Sequence, residues 1–241
     1  MAASPGTAGP RVALVTGAGG GLGRAIAEGL GDAGAHVVGA DLDVAGVSAA
    51  SAIALDVTDP AAVDAAVAAI VEDHGRLDIV VNLAGVLRNQ VIPKIVDEDF
   101  DLVLATHLKG TLHTVRAALP HMREARWGRI VNMSSIAARG SIAGGAYAAA
   151  KGAIEGFTRT AAIENAKYGI TANCVAPGLI GAGMFTTVDA DYQEKMTAKV
   201  PMGRLGDASD VASCVTFLSG DGASYVTGQT LTICGGLTLG I

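Results

Sequence analysis

Aromatic side chains are scarce: Phe, Trp and Tyr together make up 4% of the 241 residues. Too few rings are present to build a base-stacking platform, and a formal net charge of −6 without a dense basic run lacks the electrostatic footprint of a nucleic-acid binder. Long apolar runs are missing too. No stretch approaches the ~18 residues of a membrane span, and the opening MAASPGTAGP has no basic region followed by an apolar one. The expectation is a soluble, cytoplasmic protein with neither nucleic acid nor membrane as partner. Cysteine is limited to Cys174, Cys214 and Cys234, far apart and in neither a CxxC nor a zinc-ligand spacing. They read as reduced core residues, with no metal site.

What the chain does have is Ala, Val, Ile, Leu and 33 glycines, with half of its residues hydrophobic. A core of such small and branched side chains favours helices laid closely on a parallel sheet. Short β-branched runs predict strands at 11–16, 35–40, 52–55, 79–82, 128–133, 170–175 and 230–233. Ala-rich amphipathic stretches between them predict helices at 21–33, 60–73, 97–126, 147–167 and 208–218. No strand pair is joined by an Asn-Gly type turn, so the connections are crossovers. The fold class is α/β, a doubly wound parallel sheet in one domain over 11–241. Residues 1–10 read as a disordered lead-in, and 178–201, without strand character, as a substrate lid.

The first strand runs into TGAGGGLGRAIAEGL, where Gly17, Gly21 and Gly23 free backbone N–H groups to approach a pyrophosphate at a helix start. The pattern is GxxxGxG rather than GxGxxG, but its strand–turn–helix context is that of a dinucleotide site. Asp41 follows 18 positions after Gly23, at the end of the second strand. A carboxylate there accepts hydrogen bonds from ribose hydroxyls and repels a 2′-phosphate, which points to NAD; the plainer reading is a cap for the next turn. Further on, YAAAK sets Tyr147 and Lys151 four residues apart on one helical face, so that both heads can act on one site.

Read in order, TGAGGGLG, LDVTD, NLAG, VNMSS, YAAAK, APG and VTGQTLTICGG resemble the short-chain dehydrogenase/reductase family, from about residue 11 to the C-terminus. The resemblance implies a Rossmann fold and alcohol–ketone interconversion with NAD. Tyr147 would be the general acid/base. Its ordinary pKa near 10 is high for that work, and the Lys151 ammonium would favour the phenolate and bind the nicotinamide ribose. Ser135 would hold the substrate oxygen. It lies 12 positions before Tyr147, one fewer than the family's usual spacing, so Ser134 stays as an alternative. Asp56 and Val57 would meet the adenine, and Asn82, Ala84 and Gly85 would support the adenosine side. Leu22 would join the pyrophosphate turn, and Pro177 with Gly178 would border the nicotinamide.

Two positions depart from the family pattern. His107 stands where an Asn is usual, leaving two roles open: a backbone carbonyl holding a water behind Lys151, or an imidazole passing protons itself near neutral pH. Ala182 replaces a usual Thr, so one hydrogen bond to the carboxamide is lost or moved to Thr186 or Thr187. The substrate-shaping loops, 86–95, 136–145 and 178–200, suit a moderately apolar substrate. An NAD-dependent alcohol dehydrogenase is the leading reading. A 3-oxoacyl thioester reductase, with Arg123, Arg126 and Arg129 meeting an acidic carrier, and a non-catalytic dinucleotide sensor compete with it. A homotetramer is expected, with helices 97–126 and 147–167 pairing and the end GGLTLGI filling a second interface.

Overall fold

Strand residues alternate between two cores, and this arranges the molecule. In β1 (Val12–Thr16), Val12 and Leu14 face one side while Ala13 and Val15 face the other, all of them buried. Both faces of the sheet are therefore covered, and the strand reads as a continuous apolar run rather than an alternating one. The computed structural model describes residues 9–182, 185 and 189–239, with Tyr192 described through its backbone.

Seven parallel strands follow the order β3-β2-β1-β4-β5-β6-β7. The others are β2 (His36–Asp41), β3 (Ser51–Ala54), β4 (Ile79–Asn82), β5 (Gly128–Met133), β6 (Ile170–Pro177) and β7 (Thr230–Ile233). One core packs Ile26 and Leu30 of α1 (Gly21–Asp32) with Val211 and Val215 of α7 (Ala208–Ser219). The opposite core takes Val63 and Val67 of α2 (Pro60–His74), Val115 and Met122 of α4 (Gly110–Ala125) and Ala161 of α5 (Gly145–Asn165). This is a single Rossmann-type domain, as the alternation of short and long apolar runs predicts. Its order reverses between β1 and β4, and ligands of such sheets bind beyond the strand C-termini at that point.

Three features differ from expectation. The predicted helix 97–126 is α3 (Asp97–Leu104), a π-helical segment Ala105–Lys109 and then α4. Single π turns insert an extra residue and re-aim a side chain; here the segment contains His107. A short helix, α6 (Ala190–Thr197), lies in the segment read as a lid without strand character, where ADYQEKMT has too little apolar character to announce it. Finally, Cys174 alone of the three cysteines is fully buried; Cys214 and Cys234 are half-buried, and all three are free thiols. Among the described residues no helix is long and apolar enough to cross a membrane.

Candidate active site

Loops beyond the strand C-termini enclose a cavity of about 960 Å³, near the top of the usual range for small-molecule sites. One end is the glycine-rich turn. A Cβ on Gly23 would stand 2.2 Å from the Gly17 carbonyl oxygen, so the chain closes tightly enough there only with glycine. That closure brings the N-terminus of α1 to the cavity, which Gly17, Gly21, Leu22 and Gly23 line. Asp41, at the end of β2, has its carboxylate fixed: Oδ2 accepts the Gly19 N–H at 2.9 Å and Oδ1 the Leu42 N–H at 2.8 Å. Asp56 is held likewise by the Thr58 N–H and hydroxyl, at 2.8 and 2.7 Å, and lines the wall with Val57.

Ala84 and Gly85 also line the cavity; Asn82 does not. Its side chain lies beneath the wall, donating to Asn132 Oδ1 at 2.8 Å and accepting from Thr114, while Asn132 donates to Thr158 at 2.8 Å. The network ties β4, β5, α4 and α5 together with its polar groups satisfied, as burial requires. Asn82 therefore supports from behind rather than by contact. Thr16 was not singled out by the sequence, yet its Oγ1 accepts the N–H groups of Leu83 and Ala84 at 3.1 and 3.2 Å, clasping this loop to β1. The only signal was its place directly before the glycines.

The other end gathers Ser134, Ser135, Tyr147, Lys151 and His107. The N–H and O–H donors of Ser135 and its neighbours distinguish the two serines. Ser134, fully buried, donates to Glu155 Oε1 at 2.7 Å. Ser135 caps the turn Ile136–Arg139, accepting the Ala137 N–H at 3.1 Å, and stands close enough to the Tyr147 phenol to lower its pKa. Lys151 is buried and donates to the Met133 carbonyl at 2.6 Å, with its Nζ 5.4 Å from the Tyr147 ring centre. Burial lowers the Lys151 pKa to about 7, while the charge of Cys174 opposes the shift. Burial raises the Tyr147 pKa above its ordinary value, against the lowering effect of the Ser135 side chain. Desolvation thus outweighs any help that Lys151 gives the phenolate, and burial disfavours the ammonium as well.

His107 is 2% exposed and sits edge-on to the Tyr147 ring, centres 5.2 Å apart. Gly85 makes room for it, since a Cβ there would lie 2.1 Å from the imidazole Cε1. Its Nε2 lies 2.9 Å from the Val86 carbonyl, to which it donates in one tautomer, and 3.2 Å from the Val86 N–H, from which it accepts in the other. Burial, with the nearby Lys151 charge, lowers its pKa to about 3. The ring is thereby held neutral near pH 7, which favours the backbone carbonyl over the imidazole among its two expected roles. The His107 carbonyl accepts the Thr111 hydroxyl at 2.7 Å and the Gly110 N–H, so the backbone route shares an oxygen with two donors.

A pH dependence follows from this burial. The unfolded chain protonates His107 below about pH 6.5 and the folded one only near pH 3. Stability from this group is fully present above pH 6.5 and is lost as pH falls toward 3, by ~1.4 kcal/mol per pH unit. Urea midpoints at pH 7 and pH 5 should differ less in His107→Asn than in the unmodified protein, with kcat kept within about tenfold. An equal pH difference in both proteins would contradict the assignment.

Pro177 and Gly178 line the cavity past β6, and so does Ala182, an apolar side chain where the family's Thr was expected. Thr186 and Thr187, the alternatives, lie outside the described residues. Leu237 and Thr238, within the segment expected to fill an oligomer interface, also line the wall. Arg129 belongs to no docking patch: it is 2% exposed and donates to the Gly128, Gly169 and Gly220 carbonyls. Arg123 and Arg126 pack near the Tyr168 ring, by the start of β5 and away from this cavity.

Comparison with known proteins agrees with this geometry. The family described as Enoyl-(Acyl carrier protein) reductase matches residues 17–238 of the chain. The chain is 39% identical to the 3-oxoacyl-[acyl-carrier-protein] reductase FabG of Vibrio cholerae over 236 residues, 94% of this chain and 97% of that protein. The chain belongs to the short-chain dehydrogenase/reductase family. FabG of Escherichia coli is likewise 39% identical over 236 residues, covering 94% of this chain and 97% of its own. The (2S)-[(R)-hydroxy(phenyl)methyl]succinyl-CoA dehydrogenase subunit BbsD of Thauera aromatica is 39% identical over 241 residues, 95% of this chain and 97% of its own. For a short-chain dehydrogenase/reductase, the glycine turn, Asp41 and the Ser135–Tyr147–Lys151 cluster form two ends of one cavity, spaced along the sheet's C-terminal edge.

Proposed function

We propose that this protein is an NAD-dependent oxidoreductase that interconverts a secondary alcohol and a ketone. The observation that carries the reading is the cluster of Ser135, Tyr147 and Lys151 in the cavity that the glycine-rich turn and Asp41 close at the other end. The pyrophosphate would meet Gly17, Gly21, Leu22 and Gly23, the adenosine Asp41, Asp56, Val57, Ala84 and Gly85, and the nicotinamide Pro177 and Gly178. The fit is supported by the α1 N-terminus, whose free N–H groups suit an anion, and by the fixed carboxylate of Asp41. The charged residues lining that end are Asp41 and Asp56, with no Lys or Arg to meet a 2′-phosphate.

Bound there, the nicotinamide supplies or takes the hydride. In reduction Ser135 donates a hydrogen bond to the ketone oxygen, and Tyr147 gives it a proton as the carbon receives hydride; oxidation reverses both steps. The phenolate left on Tyr147 is stabilised by the Lys151 ammonium, which also holds the nicotinamide ribose. His107 fixes the tyrosine ring from its edge. Segment 178–201 serves as the lid, with Phe185 and Met196 on the cavity wall. The names of the relatives favour acyl thioesters as the first substrates to try, with 3-oxoacyl reduction as the more specific form of the same activity. Absorbance loss of NADH with a panel of ketones and 3-oxoacyl thioesters tests the reading. NADH binding without turnover of any would favour a sensor instead.

A cytoplasmic homotetramer belongs to the same proposal. Its free thiols suit a reducing compartment. Leu112 on α4 and Ile163 on α5 are exposed, and so are Phe217 on α7 and Leu231 on the edge strand β7. An open edge beside apolar side chains is a surface that another copy can cover. Light scattering at micromolar concentration is expected to give four times the chain mass, and a monomer would refute this.

A further inference from the structure

The half of the cavity away from the glycine-rich turn has an apolar wall that includes Val86, Leu102, Ile142, Leu179, Phe185 and Met196. One permanent charge stands on it, Arg139. The remaining charged lining residues are Asp41 and Asp56 at the other end and Lys151, buried at the reacting centre. Arg139 closes the 3₁₀ turn Ile136–Arg139 that Ser135 caps. The turn is pinned by the Ala138 N–H on the Ser135 carbonyl at 3.0 Å and the Gly140 N–H on the Ala137 carbonyl at 2.9 Å. At a rise of ~2 Å per residue, its Cα stands roughly 8 Å along the turn from that of Ser135.

Arg76 pairs with Asp78, Arg88 with Asp99 and Arg204 with Asp210, whereas Arg139 is exposed and, like the exposed Arg24, Arg116 and Arg159, has no ion pair among the described residues; of these four it alone lines the cavity. Among the described residues Arg139 has neither a carboxylate partner nor a side-chain hydrogen bond. The turn's own hydrogen bonds do not involve its guanidinium, so local structure does not require a charge there. A ligand that is apolar along its body and anionic at its far end would complement both the wall and the cation.

We propose that Arg139 is a specificity-determining residue that pairs with an anionic group on the substrate, remote from the ketone. The inference rests on the oxidoreductase reading and narrows its substrate class to ketones bearing a phosphate or a carboxylate. Either anion matches the planar donor fork of a guanidinium. The phosphate would come from the coenzyme A arm of a thioester, the carboxylate from an acyl chain ending in an acid.

Two substrate pairs separate these sources: acetoacetyl-CoA against its neutral N-acetylcysteamine analogue, and a medium-chain oxo acid with a terminal carboxylate against its methyl ester. Arg139→Gln should raise KM roughly five- to tenfold for the charged member of at least one pair, leaving kcat and the neutral member unchanged. Arg139→Lys should recover much of the loss, and added salt should raise the KM of the charged member alone. Which pair responds identifies the anion. Equal KM changes for charged and neutral members, or none, would overturn the inference while the turnover itself upholds the oxidoreductase reading. An unmodified protein that binds NADH and reduces none of the four ketones would overturn that reading and the inference with it.

Discussion

Replacing Tyr147 with Phe is expected to lower kcat by ~10²–10⁴-fold, the range typical of a general acid/base group, while leaving NADH affinity nearly unchanged. The ring stays, so its edge contact with His107, centres 5.2 Å apart, is retained. What disappears is the hydroxyl beside Ser135 that would deliver the proton. Lys151→Ala should damage both kcat and cofactor affinity, because in the proposed complex that side chain would also hold the ribose. Stopped-flow titration of NADH fluorescence, run beside steady-state kinetics, separates the two effects. A Phe variant that keeps more than about a hundredth of kcat would remove Tyr147 from the proton step.

The cofactor end should respond as strongly. Removing the Asp41 carboxylate by Asp41→Ala is expected to weaken NAD binding about 10- to 100-fold, the loss of one charge-assisted hydrogen bond at ~1.5–3 kcal/mol. Discrimination against NADP should relax in the same variant, since the repelling charge is gone. Part of the loss will be structural, because Asp41 also accepts from Gly19 and Leu42. Asp41→Asn keeps one of the two acceptor oxygens and so separates the parts: it should tolerate the 2′-phosphate better while retaining one of the two backbone hydrogen bonds, the amide oxygen taking the Gly19 or the Leu42 N–H but not both. Equal or better kcat/KM with NADPH in the unmodified protein would contradict the NAD preference.

Much of this was legible because backbone and side-chain periodicities coincide here. Each parallel strand is buried on both faces, so its β-branched run stands out against Ala-rich helices, and all seven strands fall within a residue or two of expectation. Gly23 announces itself because nothing larger fits against Gly17, and the i, i+4 spacing of Tyr147 and Lys151 needs only a helix to join them. Other features depend on contacts that the linear sequence does not display. The π segment at Ala105–Lys109 has no local signature, yet it sets His107 against Tyr147. Nor does spacing predict that desolvation would raise the Tyr147 pKa and lower that of Lys151; that depends on how completely the cavity floor is covered. Arg129 looked like surface charge by type, but three backbone carbonyls beneath the sheet's lower edge hold it inside.

Hydride transfer itself can be followed directly. The protein should be incubated with NADH carrying deuterium at both C4 positions and with acetoacetyl thioester or another ketone found to turn over, and the alcohol analysed by mass spectrometry. One deuterium per molecule of alcohol, bonded to the carbinol carbon, is the expected result, with the labelled alcohol reduced ~10²-fold or more when Tyr147→Phe replaces the unmodified protein over the same time. Alcohol formed without deuterium at that carbon, or no alcohol from any ketone tried with either NADH or NADPH, would contradict the proposed chemistry.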